Sequence, residues 1–153
     1  HHDDEDYIEW QNILYSVNND LAFKKHPATY INEIPSNASS IIEGNLNSLN
    51  LDSYEFIVID YFSTAMAISS ASNLPIIYFN LGPNNLNKQV KTVLKERVYW
   101  VDINFDYDIK EQVIRAFRSF FSSTRKYNKQ YSVNYSLSEN NLDSILENLI
   151  LES

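Results

Sequence analysis

The sequence predicts an α/β fold: a Rossmann-like three-layer sandwich, with a mostly parallel sheet and helices on both faces. Three observations carry that expectation. Short unbroken apolar runs recur at Phe56-Ile57-Val58-Ile59, Ile76-Ile77-Tyr78-Phe79 and Val98-Tyr99-Trp100-Val101, and such runs suit strands covered on both faces. Segments of helical periodicity stand between them, and strands alternating with helices argue for βαβ units. The length, 153 residues, fits one domain, which buries roughly 70% of the surface its unfolded chain exposes and collapses to a radius of gyration of about 15 Å.

Residues 3–18 read as a first helix, with Ile8, Ile13, Leu14 and Val17 at near-helical spacing and Trp10 less regularly placed. Asp3, Asp4 and Glu5 suit its positive amino terminus. Asn18-Asn19-Asp20 breaks it, and Leu21-Ala22-Phe23-Lys24 is a short strand that stops at His26-Pro27. A short helix over 30–34 and a second strand over 40–43, ending at Gly44, come next. The run 56–59 is a strand closed by Asp60, and 64–72 is a helix whose alanines and serines let it lie close on a sheet. Pro75 separates it from the strand 76–79. Residues 86–95 are helical, 98–101 form a strand, and 107–123 form a helix with Ile109, Val113, Phe117 and Phe120 on one stripe. Residues 124–136 read as a surface connection, and 137–151 as an amphipathic helix carrying Leu142, Ile145, Leu146, Leu149 and Ile150. One domain over 3–153 is expected, with His1 and His2 read as a tag remnant and left out of the site.

Composition narrows the function classes. With no cysteine, disulfides, thiolate metal sites and Cys nucleophiles are excluded together. Twelve basic against 20 acidic residues give a net charge of −8, the wrong sign for sequence-independent binding to nucleic acid. A small electropositive cleft remains compatible with that balance. No apolar run is long enough to span a bilayer, and the acidic amino terminus is unlike a signal peptide. The expected location is cytoplasmic. No metal and no cofactor are expected; the acidic run Asp3 to Asp6 reads as a solvated helix start.

In open parallel sheets ligands bind beyond the carboxyl ends of the strands, which directs the search to the loops after Lys24, Glu43, Ile59 and Phe79. The first carries Lys24-Lys25-His26-Pro27, the most basic tetrad among them. An imidazole beside an ammonium suits a phosphate, although a strand-capping histidine has the same sequence. The second offers Glu43-Gly44-Asn45, where the carboxylate suits sugar hydroxyls or a base edge and the glycine suits either a turn or a close approach. The third reads Asp60-Tyr61-Phe62-Ser63-Thr64 at a helix start. Hydroxyls and unpaired amides there gather around an anion, and the same residues also serve as plain helix caps. The fourth, residues 80–85, is a polar turn. The two glycines rule out a G-x-G-x-x-G loop, and no Walker loop, nucleophile elbow or zinc helix is present.

The order His26-Pro27, Glu43-Gly44, Ile57-Val58-Ile59-Asp60-Tyr61-Phe62-Ser63-Thr64-Ala65, then Asn73-Leu74-Pro75-Ile76-Ile77-Tyr78-Phe79 resembles one family group over roughly residues 20–102. It is similar to the carboxy-terminal, donor-binding half of GT-B glycosyltransferases of bacterial surface polysaccharide and capsule biosynthesis. Among these are bacterial sialyltransferases and polyol-phosphate polymerases. The resemblance implies a nucleotide-activated donor linked to CMP, CDP or UDP, its phosphate held by His26 and by Ser63 and Thr64. It implies His26 as the catalytic donor of a hydrogen bond or proton, Lys25 as added charge, and Glu43 and Gly44 as the nucleoside lining. It also implies an amino-terminal acceptor domain beyond these 153 residues, so the chain would bind a donor without transferring it. Localisation would be cytoplasmic, or peripheral at the inner membrane through the parent enzyme. Alternatives are a receiver-like signalling domain phosphorylated at Asp60, a GT-B-type sugar epimerase fragment, and an interaction domain without a small-molecule site.

Overall fold

A computed structural model describes residues 4–24, 35, 37–44, 49–61, 64–82 and 86–123, with backbone alone at positions 4 and 64. The elements, in order, are α1 (Asp4–Val17), β1 (Ala22–Lys24), β2 (Ser40–Ile42), a 3-10 turn (Leu51–Ser53), β3 (Ile57–Ile59), α2 (Thr64–Ser70), β4 (Ile76–Asn80), α3 (Lys88–Arg97) and β5 (Tyr99–Asp102). A last helix, α4, covers residues 109–123. The class is α/β, as the sequence predicts. β1 pairs with β2, and β3, β4 and β5 form a second sheet in that order, every pairing parallel. The predicted short helix over 30–34, the connection 124–136 and the final helix lie outside the described residues.

Alternation along the strands assigns the layers. In β4, Ile77 and Phe79 enter one core with Trp10 and Leu14 of α1 and Val113, Phe117 and Phe120 of α4. Ile76 and Tyr78 enter a second core with Met66 of α2 and Val90 and Leu94 of α3. Successive side chains of a strand point to opposite faces, so α1 and α4 cover one face and α2 and α3 the other. β1 contributes Phe23 to the first core, where the Tyr15 ring meets it edge-on at 6.1 Å between centroids.

Several boundaries move, for identifiable reasons. α3 starts at 88 instead of 86 because Asn87 caps it, its Oδ1 accepting from the Gln89 amide at 2.9 Å. α4 starts at 109 instead of 107 because Asp108 Oδ1 accepts from the Glu111 amide at 2.9 Å. Val98 is the carboxyl cap of α3, which delays β5 by one residue. The run 56–59 is less buried than expected: only Ile59 is buried, while four residues of β4 are. β4 is the strand flanked on both sides, and β3 has one partner among the described residues. On α1 the centre of the buried face is Trp10, fully buried, with Leu14 and Tyr15, whereas Ile8 stands outside the core.

α2 ends against a buried guanidinium. Arg97, 4% exposed, donates through Nε to the Ser70 carbonyl at 3.1 Å and through one terminal nitrogen to Ser72 and Leu74 carbonyls at 2.7 and 2.9 Å. A helix end leaves its last carbonyls without intrahelical partners, and the cation also suits that end of the dipole. Beside it the Ser70 hydroxyl is buried without a hydrogen-bond partner among the described residues. Ser70→Ala should therefore be neutral to about 1 kcal/mol stabilising, since it removes an unsatisfied polar atom. Urea unfolding would read the change; a loss of stability would reveal a partner for that hydroxyl.

Candidate functional site

Parallel strands end on one side, so each sheet has a single carboxyl edge where its loops collect. At the first sheet the register pairs Lys24 with Ile42, and Glu43-Gly44 follows directly. Both residues are exposed. Gly44 has φ of 92°, a left-handed conformation that a Cβ disfavours. A Cβ there would meet nothing within 4 Å, so conformation alone selects the glycine. Lys25 and His26 lie outside the described residues. So does Ser63, while Thr64 is placed only as the first backbone position of α2. The predicted meeting of His26 with Ser63 and Thr64 therefore falls on residues the structure does not describe.

At the second sheet the edge is well defined. Asp60, one residue past β3, accepts from the Tyr7 hydroxyl at 3.2 Å on Oδ1 and 3.1 Å on Oδ2. Oδ2 also accepts from Trp10 Nε1 at 2.9 Å. The positions i and i+3 share a helix face, so Tyr7 and Trp10 reach one carboxylate together. Trp10 is anchored from behind by Phe79, edge-on at 5.1 Å between centroids. Burial raises the Asp60 pKa, and the hydrogen bonds from Trp10 and Tyr7 oppose that without reversing it. Burial, and then the neighbouring Asp60 charge, push the Tyr7, Tyr15 and Tyr78 phenols up, so they stay neutral. Asp60 thus stands where a phosphoacceptor would stand, at the end of a parallel strand, but both its oxygens serve α1. Among the described residues no group of three or more His, Asp or Glu is placed to hold a metal ion.

The end of β4 and β5 carries a second polar cluster that sequence reasoning missed. Asn80 and Asp102 are register partners. Asp102 Oδ1 accepts from Asn80 Nδ2 at 2.8 Å and from Trp100 Nε1 at 2.9 Å. Lys91 and Lys95 of α3 hold their ammonium groups 5.4 and 5.5 Å from the centroid of the Trp100 ring. Some burial raises the Asp102 pKa, but the two hydrogen bonds and the two ammonium groups outweigh it and hold the carboxyl below the ordinary aspartate range. The spacing of Lys91 and Lys95, i and i+4 on a predicted helix, was the one available sequence signal.

Elsewhere an open groove of about 530 Å³ runs along the outer face of α1, past Ile8 and Ile13. Glu5 and Glu9 line it, which makes it the wrong sign for an anion. Among the described residues no helix is long and apolar enough to cross a membrane. No protein-family model, curated protein or solved structure matches this chain.

Proposed function

We propose that the chain is a donor-nucleotide-binding domain of a glycosyltransferase of surface polysaccharide biosynthesis, holding the donor phosphate between His26 and Ser63 with Thr64. One observation supports the reading most: all five described strands are parallel within their sheets. The segments after β1, β2 and β3, which carry His26, Glu43-Gly44 and Ser63-Thr64, therefore leave the carboxyl ends of their strands, where such sheets bind ligands. α1 links the sheets, touching Phe23 of β1 through Tyr15 and Asp60 through Tyr7 and Trp10.

The chemistry needs no metal. Departure of a nucleoside phosphate builds negative charge on the leaving oxygens, and fixed donors aimed there stabilise the transition state. In the proposal His26 supplies a hydrogen bond or a proton, Ser63 and Thr64 hold the same phosphate, Lys25 adds charge, and Glu43 with Gly44 lines the nucleoside. The partner is an amino-terminal acceptor domain, and the setting is the cytoplasm or its membrane face.

Thermal unfolding with CMP, CDP, UDP, and acetyl phosphate with magnesium tests the reading. A ligand at 100 times its dissociation constant adds about 2.7 kcal/mol. The expected result is stabilisation by one nucleotide, abolished in His26→Ala and in Ser63→Ala. A response to acetyl phosphate and magnesium alone would replace the reading with the receiver, and no response to any ligand would replace it with an interaction domain.

A further inference from the structure

Three features of the β4–β5 edge point to a ligand. First, among the described residues neither Lys91 nor Lys95 has a carboxylate at salt-bridge distance; the longer-range attraction of Asp102 reaches both without a direct pair. Both ammonium groups are instead drawn to the same indole ring, an attraction of cation to ring face that gathers two like charges around one side chain. A phosphate at this ring could accept charge-assisted hydrogen bonds from either ammonium. The chain carries a net charge of −8, so any attraction for an anion at this edge is local to these two groups.

Second, Asp102 is organised rather than merely exposed. Asn80 and Trp100 both donate to Oδ1, which fixes the carboxylate plane and presents Oδ2 as an acceptor. An ionised carboxylate accepts and never donates, so its natural partner is a hydroxyl group. Third, the cluster sits at the carboxyl ends of adjacent parallel strands, with Asn80 and Asp102 in register, the edge that open α/β sheets use for ligands.

We propose that Lys91, Lys95, Trp100, Asp102 and Asn80 form a binding site for a hydroxylated phosphate ester, a sugar phosphate or polyol phosphate. The two ammonium groups take the phosphate, and Oδ2 of Asp102 takes a neighbouring hydroxyl. The site uses none of the residues of the donor-phosphate proposal above and stands or falls apart from it.

The two tryptophans of the chain make the test direct. Trp10 is fully buried, and the Trp100 indole N–H lies in the cluster, so the two indole resonances in a proton–nitrogen correlation spectrum separate site from core. The probe is glycerol 3-phosphate, which combines a phosphate with a vicinal diol, against inorganic phosphate, sulfate and glycerol. The Trp100 resonance should move on titration while the Trp10 resonance stays. Lys91→Gln with Lys95→Gln should weaken binding about tenfold or more, as expected for lost charge-assisted contacts. Asp102→Asn should not weaken inorganic phosphate binding, since it removes a nearby negative charge, and should remove the preference for the ester. His26→Ala should change none of this. Equal response to sulfate and glycerol 3-phosphate (an adventitious ion only), no movement of the Trp100 resonance, or binding unaffected by the lysine changes would each overturn the proposal.

Discussion

Arg97→Met should lower the unfolding free energy by about 3–5 kcal/mol, the largest effect expected of any single change away from the apolar core. The side chain is 4% exposed and donates to carbonyl oxygens of residues 69, 70, 72 and 74. Methionine fills a similar volume but donates nothing. The Ser70, Ser72 and Leu74 carbonyls would then lose this donor, while the Ser69 carbonyl keeps the amide and hydroxyl of Ser72. Each such loss costs about 1–3 kcal/mol before relaxation. Arg97→Lys should recover part of it, because an ammonium offers three donors from one point where the guanidinium spreads its donors over a plane. Calorimetry should show a fall of roughly 6–20 °C in melting temperature for the methionine variant. A change within about 2 °C would mean that water already satisfies those carbonyls.

The second large expectation concerns Asp60 and pH. Its folded pKa is raised by burial, while in the unfolded chain it titrates near 4, taken roughly from the reference value. A raised carboxyl favours the protonated folded state. The stability tied to it is therefore complete below about pH 4 and is lost as pH rises through the folded value. Asp60→Asn keeps an acceptor for Tyr7 and Trp10 and removes the charge, so its stability should not fall over that window. The variant should be no more stable than the parent at pH 3, and the more stable of the two at pH 8. Parallel melting curves for the two proteins across that range would refute the assignment. Tyr7→Phe makes the complementary test: it removes a donor to Asp60 and should cost roughly 1.5–3 kcal/mol wherever that carboxyl is ionised. At pH 3 the cost should shrink, since bonds to a neutral acid are weaker.

These two residues also show how far the sequence could be read. Asp60 was visible, because it closes an apolar run at a place where parallel sheets present functional groups. Its partners were not, since they lie 50 and 53 positions earlier in the chain. Arg97 carried no local signal at all: its carbonyl partners are 23 to 28 positions away. Trp10 broke the helical stripe of α1, and it proved to be the centre of the buried face because it answers to Phe79 and Asp60, not to its neighbours along α1. β2 ends at Ile42, one residue short of the expected 43, so Glu43 and Gly44 both follow it, and Gly44 takes a positive φ, one of the two roles its position allowed. The Asn80–Asp102–Trp100 group escaped notice because two strands and a helix had to be aligned before it existed.

Local pattern thus determined the α/β class and the succession of the described strands and helices, because apolar periodicity acts over a few positions. Tertiary structure alone decided which strand is central, how α2 is terminated, and which polar groups share a proton or a charge. Those depend on distances between segments far apart in the chain, and a carboxylate or guanidinium finds its partner only after the apolar surfaces have brought the segments together.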